Sequence, residues 1–442
     1  MGNIPPITQA VLLLGSFFFI TNRIKHLAYL ASISIIFLNA YIEAFSFSTQ
    51  ISPVQLVYTL FILLVLLNMV LSKKNGIHFS KKYDRPLIFA LYIIPASLLA
   101  NLLAAGELVK PAYLSGFGSN VLSELETLVP LEPTSALVTQ NLYVIFPIII
   151  YFCLRKLDAK TLQKCIHYFI YAVVFLTVWN ICNTIEFAIS ENSVMRNITT
   201  MLVGRTGSYG STQGMGIIRI GGFVGEPSHY SYVALPAFGY VMGMGITDTG
   251  HQKKWHILAL LFTFGTIVSF STSGFAGIII LLLIYLIFNF KMTLFFRIAF
   301  YMAVILVVGV YLFRDLITAY YQYNMGKISL GQGSFAVRMW SIKHSLILLS
   351  KHPFIGIGIG STGSLGGVVT VFTCIGIIGV SFLIYLFLWV FPIYSKSILF
   401  SFYALIIFNI ITGDLSTFFS PISALLLAYA SKVEFRNRYN YT

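Results

Sequence analysis

Only 14 of the 442 residues are Asp or Glu, and charged residues of all types make up 10% of the chain. Soluble domains carry about 25%, so a water-soluble globule of this size is excluded. The acidic residues form no aspartate-rich motif of the kind that holds a divalent metal, and no metal or other cofactor is expected. The four cysteines, Cys153, Cys165, Cys182 and Cys374, fall in or at the ends of apolar runs without metal-like spacing. That excludes a zinc site and a disulfide framework as organising devices. Internal repeats and low-complexity stretches are absent. The N-terminal stretch MGNIPPITQAVLLLGSFFFI lacks the basic n-region of a signal peptide and reads as a retained first span.

What the chain has in abundance is apolar surface: 57% hydrophobic residues, 16% aromatics and a mean hydropathy of +0.86. Apolar runs recur from end to end at a length matching the roughly 30 Å hydrocarbon core of a bilayer. The expected fold is all-α, a single membrane-embedded domain over 1–442 with about thirteen spans (12 to 14). The spans are read at 6–21, 28–47, 53–72, 86–105, 137–154, 165–188, 228–246, 256–271, 274–290, 298–313, 366–394, 397–412 and 417–431.

The net charge of +14 does not point to nucleic acid. Basic residues concentrate in alternate gaps, at 22–26, 73–85, 155–164, 251–254, 291–297, Lys396 and the C-terminal tail, which together hold 19 of the 28 Lys and Arg. By the positive-inside rule these gaps are cytoplasmic. The N-terminus is then outside and the C-terminus inside.

Three outward gaps are long: 106–136, 189–227 and 314–365. The first is acidic, with Glu107, Glu124, Glu126 and Glu132 against Lys110. The other two carry eight basic residues against Glu191, Glu226 and Asp315. Basic charge retained on the outer side opposes the topological bias and points to an anion site, unless these loops only touch lipid headgroups. In the second loop Arg205 and Arg219 stand among eight glycines between Gly204 and Gly225. Glycine lets backbone N–H groups close on an anion, and arginine offers planar bidentate donors to phosphate oxygens. The combination reads as a diphosphate cradle.

Proline favours the first helical position, so Pro227 makes Glu226 the N-cap of the following span and sets Ser228 and His229 in its first turn. The helix N-terminus and nearby arginines favour an ionised Glu226, as a positioning group, a weak base or a cap alone. The third loop is expected to hold an amphipathic helix from 334. Its apolar stripe is Phe335, Met339, Ile342, Leu346 and Leu349, and its polar stripe Ser334, Arg338, Ser341 and Ser345. It would lie in the interface plane, present Arg338 to the outer mouth, and end at His352-Pro353 before the turn GIGIGSTG. His344 and His352 are further candidate proton carriers.

Arg219, then Gly-Phe-x-x-Glu-Pro-Ser at 222–228, then Arg338, Trp340, His352-Pro353 and Gly356-x-Gly358-x-Gly360 together resemble the O-antigen polymerase (Wzy) family. The resemblance implies a fold like that of lipid-dependent GT-C-like glycosyltransferases, in a Gram-negative inner membrane with its active site facing the periplasm. It implies transfer of a growing glycan from undecaprenyl diphosphate to the terminal sugar of another undecaprenyl-diphosphate-linked repeat unit. The implied partners are that donor, that acceptor, the bilayer and a chain-length regulator protein; nucleic acid is not among them. Glu226 and His229 are the expected catalytic residues, and Arg205, Arg219 and Arg338 the expected diphosphate ligands.

Two other functions fit the same pattern less well. O-antigen ligases show a His-Asn pair after the Gly-x-Gly element, and the stretch STGSLGGVVTVFTCIGIIG has neither residue. A lipid-linked oligosaccharide flippase should carry charge within its spans, whereas Glu43 and Glu186 lie near the outer ends of apolar runs and most other charge lies in gaps.

Overall fold

The computed structural model describes residues 4–37, 42–44, 49–72, 91–109, 128–132, 135–189, 194–203, 210–211, 218–219, 221–225, 227–269, 271–288, 333–362, 368–390, 395–412 and 420–439, together with positions 314, 318 and 322. Over these residues the fold is all-α, with fourteen α-helices and three short antiparallel hairpins. The helices are α1 (Pro6–Ile20), α2 (Ile24–Ser34), α3 (Pro53–Ser72), α4 (Ile93–Leu103), α5 (Ser135–Leu154), α6 (Ala159–Ile189) and α7 (Val194–Val203), followed by α8 (Pro227–Thr247), α9 (Gln252–Val268), α10 (Thr272–Phe288), α11 (Gly333–Lys351), α12 (Val368–Val390), α13 (Lys396–Thr412) and α14 (Pro421–Tyr439). Two of them, over Pro53–Leu71 and Ala159–Glu186, are long and apolar enough to cross a membrane; the apolar parts of eight others are shorter.

Every apolar run read from the sequence carries a helix except 298–313, which lies outside the described residues. Three runs differ in detail. The run at 28–47 is helical only as far as Ser34, continues as a 3-10 turn at Ile35–Phe37, and is followed by a hairpin pairing Ile42–Ala44 with Thr49–Ile51. The β-branched residues Ile33, Ile35 and Ile36 disfavour helix, and Ser32 and Ser34 bond back to the carbonyls of Ala28 and Leu30. The run at 165–188 belongs to a longer helix that starts at Ala159. The run at 366–394 is broken, because Gly376 inside α12 has φ 60 and ψ −174.

Helix α8 is central. Sixteen of its residues are buried, and it packs against α6, α9, α10 and α13. Burial on all sides is compatible with a helix enclosed by other helices. Gly239 and Gly243, one turn apart, lie so close to α13 that a Cβ on either would collide with backbone at Phe400 or Ser397. Small residues at this spacing let two backbones approach. Ser401 then donates to the Pro236 carbonyl (2.6 Å), a group beside the kink-prone proline.

The periphery is apolar: Leu13, Ile20, Val70, Leu71, Ile257, Leu260 and Ile287 are all exposed. Helix α11 shows the same inversion. Its serines Ser341 and Ser345 are buried while Met339 and Leu346 face outward, and Thr373 of α12 donates to the Ser345 carbonyl (2.9 Å). Of the expected stripes, Ser341 and Ser345 are buried and Met339 and Leu346 exposed, while the side chains of Ser334, Phe335 and Arg338 lie outside the described residues.

The ends of α6 separate two sets of loops. At its start Asp158 accepts from Lys25 (2.9 Å) and from both the backbone and hydroxyl of Thr161, which holds its carboxyl well below the ordinary range. At its far end Glu186 accepts from the backbone N–H groups of Val194 and Met195 (2.8 and 2.9 Å) and caps α7. Thirty-one helical residues at about 1.5 Å each put these ends roughly 45 Å apart.

Candidate functional site at the head of the central helix

The backbone reaches α8 through a 3-10 turn at Gly222–Val224, then Gly225 at φ 83, and the helix starts at Pro227. The proline rule is thus followed. The turn is pinned by aromatic packing: Phe223 lies against Trp179, Phe37 and Phe175, with ring centroids 5.1, 5.6 and 5.9 Å away. Trp179 in turn donates to the Thr199 hydroxyl of α7 (2.9 Å). Beneath the first turn of α8, the Ser231 hydroxyl lies 3.1 Å from the Pro227 carbonyl and 2.6 Å from Ser271, which lies 3.1 Å from Ser273. Tyr230 and Thr177 share a hydrogen bond (3.0 Å).

His229 stands exposed in that first turn, with Nδ1 3.2 Å from the Val224 carbonyl. A carbonyl only accepts, so Nδ1 carries the proton and neutral His229 keeps its lone pair on Nε2. The loop therefore fixes the tautomer that makes Nε2 the basic atom.

Asn180 of α6 is a further residue of this neighbourhood. It is fully buried, and neither its Oδ1 nor its Nδ2 finds a hydrogen-bond partner among the described residues. It abuts Gly222, which has φ +59 and where any side chain would run into the amide. An unsatisfied buried amide costs about 1–3 kcal/mol. The sequence signal was an asparagine inside an apolar run, together with Thr177 one turn earlier.

Of the other expected site residues, Glu226 and Arg205 lie outside the described residues. Arg219 is in the strand Ile218–Arg219, paired with Gly210 on the strand Gly210–Ser211, and Arg338 is within α11; the side chains of both lie outside the described residues.

A second neighbourhood joins the gap at 106–136 to the gap at 314–365. Lys351, the last residue of α11, donates to Glu107 Oε2 (2.6 Å), and His352 Nε2 lies 3.5 Å from Oε1, within ion-pair range but without a hydrogen bond. The Lys351 hydrogen bond is the main reason the Glu107 carboxyl sits below its ordinary pKa. His344 stacks on Trp340 and donates from Nε2 to the Leu108 carbonyl (3.0 Å). Burial lowers its pKa, more than the carbonyl contact raises it.

Behind this pair lies the glycine turn. Gly356, Gly358 and Gly360 all have positive φ, of 70, 91 and 82. Here α12 is opened at Gly376, and the turn fills the gap. Ile357 and Gly358 donate to the carbonyls of Thr373 and Cys374 (2.9 and 2.8 Å), while Ile377 and Ile378 donate to Pro353 and Phe354 (2.9 and 3.1 Å). Every backbone group freed by the break named here finds a partner in the turn, which is what allows irregular backbone inside a bundle. Buried Asn101 donates to the Ile357 carbonyl (2.7 Å) and to Ser361, and Ser97 accepts from Ile359 N–H (2.7 Å). Sequence reading missed Ser97, Asn101 and Gly376 as partners of the glycine turn, although a lone asparagine in the run IIPASLLANLL was visible.

No family model matches this chain, and no characterised protein matches it significantly.

Proposed function

We propose that the chain is a bacterial inner-membrane glycosyltransferase of about thirteen spans. It polymerises undecaprenyl-diphosphate-linked oligosaccharide repeat units on the periplasmic face, with undecaprenyl diphosphate as leaving group. The observation that carries this reading is the head of α8. A Gly-Phe-x-x-Glu-Pro-Ser element leads into a helix buried by its neighbours, and the first turn of that helix exposes a histidine whose Nε2 is free to take a proton. The acceptor hydroxyl must lose its proton as the glycosidic bond forms, and a base within about 3 Å, directly or through one water, is required.

Glu226 and His229 are the two groups assigned to that task. Arg205, Arg219 and Arg338 are assigned to the diphosphate, where fixed positive charge stabilises the leaving group without a metal. The exposed apolar periphery and the serine-inward packing of α11 support a lipid surround. The Glu107–Lys351 contact supports placing 106–136 and 314–365 on one side. A chain-length regulator protein is the further expected partner.

The broken helix α12 favours a second reading, a lipid-linked oligosaccharide flippase, because discontinuous helices are a recurrent transporter device. Surface polysaccharide from a deletion strain tests both. A single repeat unit on the lipid core is the expected result, whereas complete loss of repeats points to the flippase or to a ligase.

A further inference from the structure

At the end of α6 opposite Glu186, a cavity of about 140 Å³ opens between α6 and the turn from α8 into α9. That volume holds several waters or one phosphate group. Three basic side chains line it: His167, His251 and Lys254. His167 Nε2 is buried with no hydrogen-bond partner among the described residues. Lys254 forms no salt bridge among them; its ammonium lies 5.2 Å from the Trp255 ring centroid. Asp248 also lines the cavity, but its carboxylate is committed. Oδ2 accepts from the Trp255 indole (2.9 Å), and Oδ1 accepts from His251 Nδ1 (3.2 Å), which leaves His251 Nε2 uncommitted by that contact.

Apolar surface leads away from this polar pocket. Helices α6 and α9 pack side by side. From Tyr171 at the cavity wall, exposed Phe175 and Val178 follow at helical spacing; from Lys254, exposed Ile257 and Phe264 do the same. Polar donors at one end and two parallel apolar stripes beyond them match one amphiphile.

We propose that this cavity binds a phosphate group, supplied by the headgroup of a phospholipid whose acyl chains lie along the α6 and α9 stripes. Lys254 and the imidazoles of His167 and His251 contact the phosphate oxygens through their N–H groups. Trp255 and Tyr171 sit at the boundary between polar and apolar layers, the usual depth for such rings. The site is independent of the transfer chemistry assigned to the head of α8.

Native mass spectrometry of the full-length chain, purified and delipidated in neutral detergent, tests it. Phosphatidylglycerol, diacylglycerol with the same tails, and inorganic phosphate are titrated separately. The expected result is one tightly held phosphatidylglycerol and no comparable binding of diacylglycerol. Lys254→Gln and His167→Gln should each weaken it about tenfold, the usual worth of one charge-assisted contact. Lys254 is at the start of a helix and paired to no carboxylate among the described residues, so its variant carries the test should His167→Gln fail to fold. Lys25→Gln, at the same end of the bundle, should change nothing. Unchanged binding in Lys254→Gln, equal loss in Lys25→Gln, or equal retention of diacylglycerol overturns the proposal. Saturation by inorganic phosphate alone retains the phosphate chemistry and overturns the lipid source.

Discussion

The Nδ1–H of His229 donates to the carbonyl of Val224, five residues back across the entry to α8. The turn that carries the Glu-Pro junction thus also sets which imidazole nitrogen is basic. His229→Asn can keep a donor near Val224 but has no basic atom in place of Nε2. If His229 is the base, polymerisation by His229→Asn and His229→Ala should fall about 10²- to 10⁴-fold, the typical worth of general base catalysis, while Glu226→Gln keeps activity. If Glu226 is the base, the ranking inverts. Initial rates with purified variants decide between them, and full activity in both would send the search to His344 or His352.

Gly376 and the glycine turn are expected to be needed for folding. Gly376→Ala places a side chain at φ 60, ψ −174 and against the Phe354 carbonyl, so it should cost about 1–3 kcal/mol for the backbone conformation alone, with the collision added. Gly106→Ala, at φ +88 with nothing within 4 Å, isolates the backbone part. Thermal unfolding in detergent should rank wild type, Gly106→Ala and Gly376→Ala in falling order. Gly376→Ala unfolding no earlier than Gly106→Ala would contradict the knitted break.

The tie between Glu107 and Lys351 should depend on acid. The folded-state pKa of Glu107 is lowered, so its stabilisation is complete above the ordinary carboxyl value and is lost as pH falls through the lowered one. Lys351 is half exposed, and solvent screening keeps the contribution small. Hydrogen-exchange protection at 348–352, corrected for the intrinsic pH dependence of amide exchange, should fall below about pH 4, the ordinary carboxylate range, in wild type. Glu107→Gln should exchange quickly at neutral pH with no further acid step.

Asn180 should separate stability from function. Asn180→Leu removes two unsatisfied buried polar atoms, so its unfolding temperature should equal or exceed that of wild type. If the amide serves the glycan or the turn ahead of Glu226, activity should nevertheless fall about tenfold, the worth of one or two hydrogen bonds. Lower stability with normal activity would make Asn180 a packing residue.

Hydropathy and two local rules made much of this fold legible. Pro227 opens α8, and α11 stops at Lys351 just before His352-Pro353, because proline acts through its own backbone. The features that stayed hidden depend on distant partners. Helix α7 is capped by Glu186, eight residues before its first residue and on another helix. The break at Gly376 requires the glycine turn some twenty residues away to take up its free N–H and C=O groups. The orientation of α11, with Ser341 and Ser345 buried, goes with α12, whose Thr373 donates to the Ser345 carbonyl. In each case the sequence names a residue type, and only the tertiary partner gives it a role.

Reconstitution gives the most direct test of the polymerase reading. Purified protein in proteoliposomes is supplied with a lipid-linked repeat unit and no other protein, and glycan length and released undecaprenyl diphosphate are followed together. A ladder of lengthened lipid-linked glycans, with one undecaprenyl diphosphate released per unit added, is the expected result, and it should collapse in Arg219→Lys and Arg338→Lys. Movement of the lipid-linked unit across the bilayer with no lengthening would contradict it.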